Sequence, residues 1–334
     1  GVDDEAAHAH LRALRARVHL QLADLEQALA CARAVLRSPA QPADRGVAWC
    51  TIAAVALQRG QLHECERALR EAQLADPEAD ELPMEWAKLA HLQGRAHVAV
   101  QLLQARVERL RRQPPGRALI AALTSLGAAH DDQGDVACGV PLHQEAYRLA
   151  RALGARYAQV DVANNLLWAL SSLGRDEEGI AIAREALALG EYDGTPYLRN
   201  NLAYSLKRLG RLEEARDETE AVERCQDATL ALIARARLVE LYALLGDAPR
   251  SARMAERVLA TLATTEVPLA HYCAATYLAR HGTEAQLRAV LAHLRPASID
   301  PWMRDDFIAA LSARNVDPAP YLVDAPPAAA LTVR

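Results

Sequence analysis

The side chains able to do chemistry in this 334-residue chain are few and scattered. His130-Asp131-Asp132 joins an imidazole to two carboxylates, the ligand types of a metal hydrolase. A hydrolytic centre needs further ligands at matching spacing, and no second His/Asp cluster supplies them, so the triplet reads as a polar helix end. His8 and His10 lie two apart and point to different faces of a helix, a poor geometry for a shared metal. The six cysteines, at 31, 50, 65, 138, 225 and 273, show no CxxC spacing. Each falls in a stretch of helical pattern, where small buried thiols are expected rather than disulfides or metal ligands. No GxxxxGK[ST], GxGxxG, GxSxG or HExxH occurs. A non-catalytic chain without cofactor or metal is therefore expected.

Binding chemistry is better represented. Asn164 to Gly179 reads NNLLWALSSLGRDEEG, and Asn200 to Ala215 reads NNLAYSLKRLGRLEEA, 36 residues later. Nine of 16 positions are identical: both Asn, three Leu, the Gly, the Arg and both Glu. One of four Trp, two of nine Tyr and one of two Lys gather in and beside these copies, as Trp168, Tyr197, Tyr204 and Lys207. A side-chain amide both donates and accepts, as a peptide backbone does. Trp and Tyr are the residue types that anchor interfaces.

The elements that must position these residues are helices. Apolar content comes mostly from Ala and Leu, strong helix formers, while β-branched and aromatic residues are scarce. Glycines at 60, 94, 134, 174, 210, 246 and 282 each follow a helical run, at spacings of 34, 40, 40, 36, 36 and 36. Each suits the left-handed conformation that closes a helix. Ala23 takes the same place in a degenerate first copy. A helix–turn–helix unit repeated at a fixed period reads as an all-α solenoid of about eight units over 6–295. The linker Ser38 to Pro42 separates the first two. Residues 296–314 are expected to hold a capping helix, with Trp302, Phe307, Ile308 and Leu311 covering the last repeat. Residues 315–334, with four prolines, are expected to form an extended tail.

Unit two carries the resemblance. Trp49, Ile52-Ala53, the turn glycine Gly60, Cys65 and Ala72 seven apart, and Pro77 resemble the tetratricopeptide repeat. The longer spacings are similar to the repeats of kinesin light chains and of the regulatory domains of large bacterial transcription activators, including the maltose-activator type. The resemblance implies a right-handed superhelix whose first helices line a concave groove. Its second, fifth, ninth and twelfth positions would face a ligand: Asp161, Asn164, Trp168 and Ser171, then Tyr197, Asn200, Tyr204 and Lys207. Spacings of three, four and three place each set on one helical face. The paired asparagines would clamp an extended segment, and Lys207 with Arg199 and Arg208 would favour an acidic residue on it.

Charge and hydropathy narrow the partners. Net charge is −5, against bulk nucleic-acid binding. The arginines from Arg106 to Arg117 and the six acids from Glu213 to Glu223 read as solvated helix faces. No apolar run approaches the ~20 residues of a membrane span, and no signal-peptide pattern opens the chain, which begins with Gly. The use of Arg for all but two basic residues suggests a GC-rich bacterial genome, and scattered cysteines suit the cytoplasm. Two readings follow: a protein- or peptide-binding scaffold, or the effector- or peptide-sensing regulatory domain of a larger bacterial transcriptional regulator.

Overall fold

A computed structural model describes residues 2–79, 81–262, 268–297 and 301–323. Among them the chain forms seventeen α-helices and one 3-10 turn. The helices run α1 (Val2–Gln21), α2 (Leu25–Leu36), α3 (Pro42–Gln58), α4 (Leu62–Ala75), α5 (Leu82–Leu92), α6 (Ala96–Leu110), α7 (Arg117–Asp132) and α8 (Val136–Ala152). They continue as α9 (Arg156–Ser172), α10 (Asp176–Leu187), α11 (Thr195–Arg208), α12 (Leu212–Glu223), α13 (Ala228–Leu244), α14 (Ala248–Leu262), α15 (Pro268–His281), α16 (Glu284–His293) and α17 (Pro301–Ser312). Two compact units divide within α8, Gly1–Ala146 and Tyr147–Arg334.

In each unit, helices pack on their neighbours in sequence, and first helices also pack on first helices of the next pair, as α1 on α3 and α9 on α11. Short side chains let them approach: Ala28, Ala32, Cys65 and Ala72 in the first unit, and Ala183, Ala186, Ala203 and Ala215 in the second, are fully buried. Trp49 and Trp86 pack half-buried against the first core. Leu166, Leu167, Leu170, Leu198, Leu202 and Leu206 fill the second.

The turns follow one scheme. Gly60, Gly94, Gly134, Gly174, Gly210 and Gly246 all have φ between 69° and 81°. The residue after each donates its N–H to the carbonyl five back, as Arg211 does to Leu206 at 3.0 Å, which caps the preceding helix. Ala23 adopts the same conformation at φ 56°, and Asp24 N bonds His19 O at 2.9 Å. The degenerate copy thus keeps the turn without the glycine. Gly282 departs from the expectation and has no positive φ. A capping box formed by Thr283 and Gln286 starts α16 instead, so the turn needs no left-handed residue.

Three further expectations are corrected. α3 begins at Pro42, because proline is tolerated in the first helical turn, so the linker is shorter. Cys225 lies just past α12 rather than inside a helix. Cys50 and Cys65 are buried, and burial pushes their pKa up to about 12 and about 11; Cys273 is half-buried as a residue, yet burial pushes its thiol up to about 12 as well. Cys138 is exposed.

At the C-terminal end Phe307 is fully buried, 5.1 Å edge-on from Tyr272, with Leu311 buried beside it in α17. The side chain of Trp302 lies outside the described set. Residues 315–323 are not an extended tail. Tyr321 packs edge-on to Phe307 at 6.4 Å, its carbonyl accepts from the Tyr272 hydroxyl, and Leu322 bridges Ala297. Pro318 and Pro320 fit the 3-10 turn at Ala319–Tyr321 that folds this segment back. Residues 324–334 lie outside the described set.

Candidate functional site

The first helices of the second unit, α9, α11, α13 and α15, carry the candidate face. Trp168, Tyr197 and Tyr204 are 41%, 47% and 38% exposed. Tyr157 is 52% exposed and stands one turn before Asp161 in the same helical row, extending the aromatic series. Exposed aromatics are uncommon in a chain this poor in them, and four on two adjacent helices make a patch with anchoring capacity.

The asparagines divide their roles. Asn164 Oδ1 accepts from Asn201 Nδ2 at 2.9 Å, which ties α9 to α11. Asn200 Nδ2 reaches Asn201 Oδ1 at 3.4 Å, and the Asn200 backbone carbonyl accepts from Arg237 Nη1 at 2.7 Å. Asn200 Oδ1 is buried and makes no hydrogen bond, and neither does the buried Nε of Arg237. The Arg237 guanidinium lies 6.0 Å from the Tyr204 ring centroid, within reach of a cation–π contact.

Tyr197 is fixed in place. Its hydroxyl donates to Asp227 Oδ2 at 2.6 Å, and Asp227 caps α13 through Leu230 N at 2.9 Å. That hydrogen bond, with burial next, pushes the Tyr197 pKa up to about 12. The Asp161 carboxylate rests against Gly194, so close that a Cβ there would come within 2.7 Å of it. Burial, and then the charge of Asp193, raise its pKa.

Ser171 does not present its hydroxyl on this face. It is buried, donates to Asp176 Oδ1 at 2.8 Å and pairs with Ser205. A small polar residue fits the contact of α9, α10 and α11, and helix packing claims it. The cations expected to draw an acidic ligand are also engaged. Lys207 bonds Glu240, Arg208 holds the Ser171 carbonyl at 2.7 Å and Asp176 at 3.4 Å, and Arg199 bonds Glu191 and Glu218 at 2.7 Å each. The expected acidic preference loses its source, because each cation already has a carboxylate of this chain.

Glu240 is the centre of that charge pairing. Its side chain is 7% exposed, with Lys207 on one oxygen and Arg280 Nη1 and His281 Nε2 at 3.7 and 3.6 Å from the other. Burial alone would raise its pKa; His281, Lys207 and Arg280 outweigh it and hold the group at about 2. Arg280 reaches on to Asp306 of α17, and Lys207 Nζ lies 5.5 Å from the Tyr277 ring centroid. Arg237 and Glu240 fall 36 residues after Asn201 and Tyr204, so the repeat period could have found both. Three of the six acids from Glu213 to Glu223 are paired across helices or turns, Glu214 with Arg184 and Arg211, Glu218 with Arg199, and Glu223 with Arg235 and Arg257, while Glu213 and Asp217 are exposed as expected. Arg111 likewise bonds Glu145 at 2.6 Å.

No protein-family model matches the sequence, and no curated protein matches it. Solved structures do. RapI in its apo form aligns with a TM-score of 0.66 at 7% identity, covering 92% of this chain and 87% of that one. A signal-transduction ATPase with a tetratricopeptide-repeat sensor, PH0952 from Pyrococcus horikoshii, aligns at 0.65 and 16% identity, over 84% of this chain and 45% of that one. NprR, solved with its cognate peptide NprX, aligns at 0.55 and 14% identity, over 86% and 85%. The fold is that of a tetratricopeptide-repeat α-solenoid.

Proposed function

We propose that this protein is a non-catalytic scaffold that binds a peptide or an extended segment of a protein across the first helices of its second unit. Trp168, Tyr197 and Tyr204 supply the anchors, Asn164 and Asn201 brace the face, and Asn200 with Arg237 reads the ligand backbone. Asp161 and Lys207 border the face, with Lys207 held by Glu240. One observation carries the reading. Asn200 Oδ1 is a buried acceptor without a donor, and Arg237 Nε is a buried donor without an acceptor. The Arg237–Asn200 bond already holds the two residues together. Unpaired buried polar atoms are costly, and an extended segment brings backbone N–H and C=O groups that satisfy both when the Asn200 and Arg237 side chains turn outward on binding. The peptide-bound NprR shares the fold and supports the same use.

A second reading is favoured by the PH0952 alignment, in which a fold of this kind is the sensor part of a larger signalling protein. On that reading the same face senses a peptide for a bacterial transcriptional regulator.

The test is peptide selection on the immobilised protein, followed by anisotropy titration of the selected peptides. Trp168→Ala and Asn200→Ala should each weaken binding about tenfold or more, on the scale of interface anchors. Their circular dichroism melts should match the parent. Full-strength binding by both variants refutes the face.

A further inference from the structure

The α7–α8 turn of the first unit differs from the other turns in its side chains. Four residues before the turn glycine five copies carry Ala56, Ala90, Leu170, Leu206 and Tyr242; here the residue is His130, a place that His19 takes before Ala23, where Asp24 also follows but Gln27 stands at the position of Cys138. One and four residues after it, two copies carry the ion pairs Arg175–Glu178 and Arg211–Glu214, at 2.7 and 2.6 Å. Here the same two positions hold Asp135 and Cys138. The left-handed Gly134, at φ 81°, folds α8 back on α7 and bonds Asp135 N to His130 O at 3.0 Å. One ligand atom from each of His130, Asp135 and Cys138 then lies within 4.8 Å of the other two.

We propose that His130, Asp135 and Cys138 form a zinc site. His130 Nδ1 is buried, makes no hydrogen bond, and stands 3.8 Å from Asp135 Oδ2. The two acids beside it are committed elsewhere: Asp131 to the buried His143 at 3.0 Å, and Asp132 to His91 at 2.7 Å. That leaves the imidazole for the turn. One nitrogen, one carboxylate oxygen and one thiolate are the donors of zinc rather than of calcium or magnesium, which take oxygen ligands. Zinc–ligand bonds of about 2.0–2.3 Å in a tetrahedron need donors roughly 3.3–3.8 Å apart, so the widest separation closes by at most about 1 Å while His130 and Asp135, at 3.8 Å, already stand close to that spacing. Rotamer changes at exposed Asp135 and Cys138 supply that movement, and their exposure gives an ion its entry. Solvent fills the fourth position. On binding, the Cys138 thiol gives its proton to solvent and the sulfur bonds the ion. The site staples the start of α8 to the end of α7, on a unit that does not carry the peptide face.

The experiment uses the whole chain. Metal-free protein is titrated with zinc against a chromophoric chelator, and separately with cobalt(II) while absorption is recorded. One zinc per chain, a thiolate-to-cobalt charge-transfer band, and a melting temperature raised by zinc are expected. Cys138→Ser should lose the band and the thermal shift while its metal-free melt matches the parent, since the side chain is exposed. His130→Gln, as a second variant, should bind zinc at least tenfold more weakly. No stoichiometric zinc, or a cobalt–thiolate band that survives Cys138→Ser, overturns the proposal.

Discussion

Replacing Glu240 by Gln tests the charge pairing behind the candidate face. The change keeps side-chain size and removes the charge that Lys207, Arg280 and His281 surround. A carboxyl pKa moved from 4.5 to about 2 corresponds to about 3 kcal/mol of linked stability, at ~1.4 kcal/mol per unit. Breaking a buried pair costs a similar amount, roughly 3–5 kcal/mol. Lys207 is 17% exposed and Arg280 retains Asp306, so the lower end applies. The folded pKa lies below the unfolded one. The stabilisation is therefore complete above about pH 5 and is lost as pH falls through about 2. In urea unfolding followed by circular dichroism, the variant should be about 3 kcal/mol less stable at pH 7. At pH 3 the unfolded carboxyl is protonated and the folded one still charged, so the gap should shrink to about 1 kcal/mol. A gap that stays constant between pH 7 and pH 3, or no gap at all, refutes the assignment of Glu240 as the ionised centre.

Three further outcomes follow from the turns and the C-terminal end. Gly210→Val should cost about 1–3 kcal/mol through backbone strain alone, because nothing lies within 4 Å of an added Cβ at this left-handed position; an unchanged melt contradicts that conformation. Ala23→Gly should do the reverse and stabilise by about 0.5–1 kcal/mol, the left-handed strain of alanine less the entropy of glycine, and a lower melting temperature refutes it. Truncation after 315 should destabilise the end of the second unit, because it removes the Tyr321 contacts to Tyr272 and Phe307, and truncation after 300 should do so more strongly, because it also removes the buried Phe307 and Leu311; a melt like that of the full chain for the shorter cut contradicts the docking of 315–323.

The fold was legible because its signals are local and repeated. A left-handed glycine followed by a bond five residues back is a property of six consecutive residues, and the described residues hold it seven times, six of them at the repeat turns and once at Gly154. The same locality explains the exception at Gly282, where a neighbouring Thr283-Gln286 box does the capping and the glycine is a misleading mark. The candidate face was legible only in part. Helical spacing placed Trp168, Tyr197, Tyr204 and Asn200 on one side, but spacing says nothing about what an adjacent helix has already claimed. Ser171 is taken by Ser205 and Asp176, Lys207 by Glu240, and Arg208 by the Ser171 carbonyl. Most of these partners stand 33–37 residues away in sequence, about one repeat. A repeat protein can thus be read in two passes. The first finds the period, and the second asks of each polar residue which group sits one period on. That second question separates Asn164, whose amide oxygen is met by Asn201, from Asn200, whose amide oxygen is not. It also separates the Arg–Glu turns from the one turn where His130, Asp135 and Cys138 stand together.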